Sequence, residues 1–425
     1  MSTVSVHGLG YVGLPTAALF AHNGYQVFGI DTDTDRLRQL ESRGADFKEP
    51  ELQEFVNQAL STPEFELGRE PVQSDYHLIC VPTPYDEDEE EATLTYVRSA
   101  AERLSTQLRA GDTVVVESTV PPGTTTDLVG GILADRAQHC YDEINLAFCP
   151  ETVLPGSIYE ELRENDRIVG GVDDESTRVV RDLFGPVIEG EVYAAPDART
   201  AEFVKLTQNT FRDVNIALAN ELAKVAHDYD IEPRDAFELV NTHPRVSLHR
   251  PGPGVGGHCL PVDPLYLGHG SDELDLVEKA RETNDEMIEY VYEKLRDGLG
   301  SLDEKQIAVL GLAYKAGVGD TRNSPGKRFV ERISNAPQKI AADGGGSPSE
   351  VRAHDPHVEE PTYSQYSLSG ALDGADALVF MTGHQRFEEI DPETITTLMD
   401  GNLVIDATDT TDESWVEQGL DIRKI

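Results

Sequence analysis

The chain has 425 residues and a net charge of −43 with a pI near 4.4, so it is long enough for roughly two or three domains and far more acidic than an ordinary globular protein. That balance argues against nucleic acid and anionic membrane surfaces as partners, because both are held through basic patches. No stretch is apolar and long enough to span a membrane and no charged-then-apolar leader is present, which points to a cytoplasmic protein.

Val4–His7 reads as a short strand running into Gly8-Leu9-Gly10-Tyr11-Val12-Gly13. A helical stretch follows from Leu14 to about His22, and Tyr25–Ile30 reads as a second strand ending at Asp31. This is the G-x-G-x-x-G pattern in its strand–turn–helix–strand setting, with an acid roughly 20 residues on. The glycines let backbone approach a pyrophosphate at a helix N-terminus, and Asp31 is placed to accept from a ribose and repel a 2′-phosphate. NAD is therefore expected over NADP. Further strand-to-loop units follow at His77–Val81, Thr113–Val116 and Asn145–Cys149, which leave Thr83, Thr119 and Glu151 beyond strand ends, where doubly wound sheets bind ligands. Each of the three also reads as a plain turn or cap residue. The acidic run Asp86–Glu91 reads as a solvated loop.

From about Asp197 to Tyr229 the spacing predicts one long helix. Phe211, Val214, Leu218, Leu222, Val225 and Tyr229 form an apolar stripe, and Lys205, Asn209 and Arg212 lie on the opposite face. Ile216–Ala219 is apolar all round, so burial on several sides is expected, against other domains and a second subunit. A buried Lys–Asn–Arg row needs an anionic or oxygen-rich partner.

His249–Pro264 holds Cys259 among glycines and prolines, just ahead of Asp263-Pro264, which resembles a helix start with Asp as N-cap. A thiol there is either a core cysteine in a tight turn or a nucleophile whose thiolate the helix dipole favours. The four cysteines (Cys80, Cys140, Cys149, Cys259) show no CxxC spacing, so reduced thiols are expected, and no set of four spaced metal ligands is evident. Ile307–Leu310 then leads to Gly311–Lys315 and Asp320–Pro325, with further strands at Val351–His354, Ala377–Met381 and Leu403–Ile405. Strand–helix alternation indicates a second parallel sheet, and Asp343–Ser349 reads as a flexible surface loop. Lys315 and Arg322, just past a strand end, fit either a phosphate contact or surface ion pairs.

Taken together, Gly8–Pro15, Val81–Pro84, Glu117–Gly123, Pro150-Glu151, Lys205-x-x-x-Asn209, Gly254–Asp263 with Cys259, and Gly311–Pro325 resemble the nucleotide-sugar 6-dehydrogenases, the UDP-glucose/GDP-mannose dehydrogenase family. The resemblance covers nearly the whole chain. It implies an α/β fold: two Rossmann-like doubly wound parallel-sheet domains joined by a central helical region with one long helix. The expected boundaries are 1–195 for the NAD-binding domain, 196–300 for the central dimerisation and catalytic region, and 301–425 for the UDP-sugar-binding domain. The implied reaction oxidises the C6 alcohol of a UDP-sugar to a carboxylate with two NAD.

By the same resemblance Cys259 captures the intermediate aldehyde as a thiohemiacetal and then a thioester. Lys205 and Asn209 stabilise the oxyanion, Asp263 assists proton transfer, and Glu151 and Thr119 place the hydrolytic water. Gly8, Gly10, Tyr11, Val12, Gly13, Asp31, Arg36, Thr83, Thr119 and Arg322 fall on cofactor positions. Val153, Lys205, Asn209, Arg212, His243, Arg245, Arg250, Gly252, Tyr314 and Lys315 fall on substrate positions, some across a homodimer interface formed by the central helix.

The departures bear on the sugar. Pro155 and Val262 stand where UDP-glucose enzymes carry an acid and a lysine, and Phe211–Asn215, Asn241–Arg245 and Gly257-His258-Cys259 are similar to the branch acting on UDP-N-acetyl-D-mannosamine. Thr152 replaces an arginine of that branch, and Asp406-Ala407-Thr408 lacks an arginine many members carry. UDP-glucose is the second substrate reading, and a non-catalytic NAD-binding sensor is the reading of another class. The acidity and the scarcity of lysine beside arginine suggest a halophilic cytoplasm, where molar salt shortens the Debye length to a few Å.

Overall fold

The computed structural model describes residues 1–86, 91–334, 348–359 and 366–425, so most of the Asp86–Glu91 run and of the Asp343–Ser349 loop lies outside the described residues. The described chain divides into two compact units, Met1–Gln208 with Leu265–Glu273, and Asn209–Pro264 with Leu274–Ile425.

In the first unit, apolar runs too short for helices pair into one sheet. Its strands lie in the order 192–194, 167–171, 145–148, 113–116, 76–79, 3–7, 26–30 and 65–68. The six from 145–148 to 65–68 are parallel, and 167–171 runs antiparallel beside 145–148. Read from the far edge, the first strand has the second and third on one side and the fourth, fifth and sixth on the other. That reversal at the first strand is the switch point of a doubly wound nucleotide-binding sheet. Successive side chains feed opposite faces, as the two-residue strand period requires. Val4, Val6, Val27, Leu78 and Val115 pack with helices Gly13–His22 and Pro50–Leu60, whereas Ile79, Val114, Val116 and Phe148 pack with helix Thr95–Leu104.

The second unit has five parallel strands in the order 350–354, 306–310, 377–380, 403–406 and 421–424. Ile307, Val309, Val379 and Ile405 face helices Asp275–Leu299 and Pro325–Ser334, and Ala308, Leu310, Leu378 and Val404 face the other side with Trp415.

The long helix spans Ala198–Asp228, as its periodicity predicts. Its stripe faces outward in the single chain: Phe211, Leu218, Leu222, Val225 and Tyr229 are all exposed, with Phe211 at 62%. The inward face is built from Ala217, Ala219 and Ala223 together with the polar Asp213 and Asn220. Small residues there let neighbouring chain approach closely, so the large apolar residues are left for the outside. Among the described residues no helix is long and apolar enough to cross a membrane.

Candidate active site

The first unit gathers the expected cofactor residues along the sheet edge at its switch point, except Arg322, which belongs to the second unit. Gly8 has φ +98°, and a Cβ there would lie 2.6 Å from the Cys80 carbonyl oxygen; at Gly13 a Cβ would lie 2.0 Å from the Gly8 oxygen. No other residue fits either position. A Cβ at Gly10 meets nothing within 4 Å, so the turn is open on that side, as a cradle for a pyrophosphate must be. Asp31 Oδ2 accepts from the Leu9 N–H at 2.8 Å and Oδ1 from the Asp33 N–H at 2.9 Å. A carboxylate offers about four acceptor positions, so two remain for ribose hydroxyls, and these residues fit a dinucleotide. Arg36 Nε donates to the Leu9 carbonyl at 3.2 Å, and the exposed Tyr11 donates its hydroxyl to Glu49 at 3.3 Å. Val12 precedes the first turn of helix Gly13–His22.

Farther along the same sheet edge, Thr83 Oγ1 donates to the Thr119 carbonyl at 2.7 Å, and the Tyr266 hydroxyl donates to the Thr83 carbonyl. Glu151 Oε2 accepts from the Val153 N–H at 2.6 Å, and its main-chain oxygen accepts from Lys205 Nζ at 2.8 Å. The nearly buried Lys205 thus has an oxygen partner, as its burial demands.

Beneath these loops lies a pair that sequence reasoning missed. Arg167 and Glu117, both buried, meet at 2.6 Å, and Cys80 Sγ donates to Glu117 at 3.0 Å. Glu117 stood in a recognised motif, but no spacing rule links it to an arginine 50 residues away.

Cysteine environments separate the four thiols. Burial, reinforced by Glu117, pushes the Cys80 thiol well up, and burial pushes Cys149 to about 12. Burial and the nearby acids Asp112 and Glu143 also raise Cys140. Cys259 is exposed, so the core-cysteine reading does not hold.

Cys259 belongs to the second unit, where its carbonyl accepts from the Val262 and Asp263 N–H groups at 3.1 and 2.8 Å. The following helix is only Asp263–Tyr266, one turn, continued by a 3₁₀ turn over Leu267–Gly270. This corrects the expected dipole argument, since a single turn aligns few peptide units. Asp263, rather than standing outside the helix as a cap, is its first residue, and its buried carboxylate accepts from Asn209 Nδ2 at 2.5 Å.

The glycines of the cysteine loop are required by packing. A Cβ at Gly256 would lie 2.8 Å from Tyr314 Cβ, and one at Gly257, with φ +89°, 2.9 Å from the Tyr314 ring. Gly257 N–H donates to the Arg322 carbonyl at 2.9 Å, and Asn323 Nδ2 to the Gly257 carbonyl at 3.0 Å. Tyr314 and Arg322 are both electrostatic neighbours of Cys259. Burial, with Asp320 and Cys259 nearby, pushes the Tyr314 hydroxyl to about 12, so it stays a neutral donor. Arg322 grips Asp320 through Nε at 3.0 Å and Nη2 at 2.6 Å.

The start of the loop is anchored by a second network that the sequence did not disclose. Gly252 N–H donates to Asn220 at 2.8 Å, Asn220 to Asn284 at 2.9 Å, and Asn284 to Asp213 at 3.0 Å. Arg250 meets Asp409 at 3.2 Å, where Arg234 and Lys424 also converge. Arg212 and Lys315 are half-buried. His243 and Arg245 are exposed and joined by an Arg245 N–H to His243 Nδ1 bond of 3.3 Å.

Three sequence profiles match in order: the UDP-glucose/GDP-mannose dehydrogenase family NAD binding domain over residues 2–188, its central domain over 199–286, and its UDP binding domain over 308–413. A UDP-N-acetyl-D-mannosamine dehydrogenase of Methanocaldococcus jannaschii is 37% identical over 99% of this chain and 95% of its own. The solved UDP-D-ManNAc dehydrogenase of Pyrococcus horikoshii superposes with a TM-score of 0.90 at 38% identity, covering 100% of this chain and 99% of that one. The UDP-N-acetyl-mannosamine dehydrogenase of Staphylococcus aureus superposes with 0.87 at 35% identity, covering 100% and 98%. With its nucleotide turn, its exposed cysteine on a glycine loop and these matches along its length, the chain belongs to the UDP-glucose/GDP-mannose dehydrogenase family and is an NAD-dependent nucleotide-sugar dehydrogenase.

Proposed function

We propose that this enzyme oxidises the C6 alcohol of UDP-N-acetyl-D-mannosamine to the uronate, in the cytoplasm, as a homodimer. The observation that carries the reading is the exposed Cys259 on a loop fixed by Tyr314 and Asn323, followed by an Asp263 carboxylate gripped by Asn209. The sugar is taken from the relatives, several of which bear that substrate in their names.

The Gly8–Gly13 turn, Asp31, Arg36, Thr83 and Thr119 would hold NAD, which when bound would supply the acceptor for one hydride in each of two rounds. Cys259 Sγ adds to the aldehyde carbon left by the first round and passes its proton to water, with Asp263 assisting. The aldehyde oxygen becomes an oxyanion, to which Lys205 and Asn209 are assigned. Covalent capture retains the aldehyde and restores a tetrahedral carbon that can be oxidised again. The resulting thioester is cleaved by water, with Glu151 and Thr119 placing that water, and the thiol is regenerated. Arg250, Tyr314 and Lys315 are assigned to the nucleotide-sugar, as are Arg212, His243, Arg245, Val153 and Gly252. The outward stripe of the long helix supports dimerisation, since a contiguous exposed apolar face marks an interaction surface.

The test is NADH formed per sugar consumed in molar KCl, across UDP-N-acetyl-D-mannosamine, UDP-glucose, UDP-N-acetylglucosamine and GDP-mannose. Two NADH per UDP-N-acetyl-D-mannosamine, lost in Cys259→Ser, is the expected result. Faster turnover of UDP-glucose would replace the substrate; a stoichiometry of one would end the thioester route.

A further inference from the structure

Glu202 is a charged group that the reaction above does not use. It lies on the long helix three residues before Lys205 and is fully buried. Its two oxygens accept from the N–H groups of Gly123 at 2.5 Å and Thr125 at 2.7 Å, and no ion pair joins it to a cation among the described residues. Those N–H groups need it. Pro121 and Pro122 have no N–H, Gly123 turns the chain with φ +99°, and the π-helical segment Thr124–Val129 starts without a capping side chain of its own. Its first N–H groups are orphans unless something outside the segment accepts from them. Residues that precede this turn belong to the cofactor edge: Thr119, whose carbonyl is held by Thr83 Oγ1 at 2.7 Å, is separated from Pro121 by Val120 alone.

We propose that Glu202 is a positioning residue, whose carboxylate clamps the Pro121–Thr125 turn and so holds Thr119 against Thr83 on the coenzyme side of the first unit. This rests on the reading of Thr83 and Thr119 as coenzyme-side residues. The clamp needs both oxygens as acceptors, which the ionised form supplies and a protonated carboxyl supplies poorly. Burial raises the acid to about 7, against the pull of the Thr125 and Gly123 N–H groups and of Arg199. Arg199 on the same helix is the charged group that acts on it, and Arg199 is itself paired at 2.8 Å with the exposed Asp127 on the clamped segment. Val120 and Val129, on either side of the clamped turn, and Ala198 and Ala201, just before Glu202 on the helix, belong to one apolar cluster. The clamp is therefore closed above neutral pH and loosened below it.

The experiment measures the KM for NAD and kcat of the wild type, Glu202→Gln, Glu202→Asp and Thr119→Ala between about pH 6 and pH 9. The wild-type KM for NAD should rise about tenfold on acidification, with its midpoint near 7, while kcat changes less. Glu202→Gln should show the high KM at every pH, and Glu202→Asp a partial restoration. A raised KM in Thr119→Ala beside a wild-type profile in Glu202→Gln overturns the clamp alone; an unchanged KM in Thr119→Ala overturns the coenzyme-side reading beneath it. If Glu202→Gln does not fold, calorimetric NAD binding to the wild type decides. A pH-independent Kd, with no proton released on binding near neutral pH, would refute the clamp.

Discussion

The closest contact between two assigned side chains is the 2.5 Å bond from Asn209 Nδ2 to Asp263 Oδ2, and Asn209→Asp tests it with almost no change of shape. The variant places a second carboxylate where the amide stood. Two unit charges 2.5 Å apart repel by about 6–7 kcal/mol at an effective dielectric near 20, and relaxation to about 3.5 Å still leaves roughly 5 kcal/mol. The chain escapes by protonating one carboxyl, which costs about 1.4 kcal/mol for each pH unit above its ordinary value near 4. The variant is therefore destabilised by roughly 1–2 kcal/mol near pH 5 and by up to about 5 kcal/mol near pH 8.

The sign follows from linkage: a carboxyl that holds its proton in the folded state gives stability that is lost as pH rises through its folded-state pKa. Thermal melting in molar KCl should show the gap between variant and wild type widening from acid to alkaline pH. Asn209→Ala, which removes a donor without adding charge, should show a much shallower slope. Salt does not remove the effect, because Asp263 is only 4% exposed and buried pairs are weakly screened. Parallel melting curves for the variant and the wild type from acid to alkaline pH would refute the contact.

Four further outcomes are expected. Arg167→Leu leaves Glu117 buried without its partner and should lower stability by about 3–5 kcal/mol, read as a lower Tm, with much of it regained in Glu117→Gln/Arg167→Leu. Burial opposes ionisation of Asp355, but His384 and backbone N–H groups outweigh it and hold the acid near 2. Its contribution of about 2 kcal/mol is thus present above its unfolded value of 3.8 and lost as pH falls toward 2, and Asp355→Asn should flatten that part of the acid-melting curve. Leu218→Glu, in the outward apolar face of the long helix, should halve the mass measured by light scattering if that face joins two copies. Tm should climb steadily from dilute buffer to molar KCl, since the chain carries −43 charges; a flat response would remove the halophilic reading.

Strands buried on both faces announced themselves as short apolar runs, which is why Thr3–His7, Thr113–Val116 and Gln306–Leu310 were legible. The strands Phe65–Gly68, Arg167–Gly171 and Asp421–Lys424 were not, because each is interrupted by charge or glycine and takes its place from its neighbours. The stripe on the long helix was legible as a stripe, yet periodicity does not distinguish a face turned to the core from one turned to a second subunit. Contacts such as Glu202 with Gly123 and Asn209 with Asp263 join residues 79 and 54 positions apart. Neither pair shares a local spacing, so the residues could be nominated from motifs but their partners could not.

The two sheets use the same turn, and the difference between its copies explains why only one carries a readable fingerprint. Gly8 follows the first strand, a Cβ on Gly13 would strike the Gly8 oxygen at 2.0 Å, and Asp31 after the second strand accepts from Leu9. Gly311 likewise follows its strand, a Cβ on Gly326 would strike the Gly311 oxygen at 2.2 Å, and Asp355 after the next strand accepts from Leu312. The second copy escapes the pattern because residues 312–325 intervene, and these include the Tyr314 and Asn323 that support the cysteine loop. Asp355 also accepts from the Ala313 and His357 N–H groups and from His384 Nε2, and it is buried, only 3% exposed, so a ligand does not reach it. Among the described residues Asp31 takes two such bonds, and it is only partly buried. A ribose hydroxyl can therefore reach the partly exposed first acid and not the buried second one, whose turn instead braces the loop that carries Cys259.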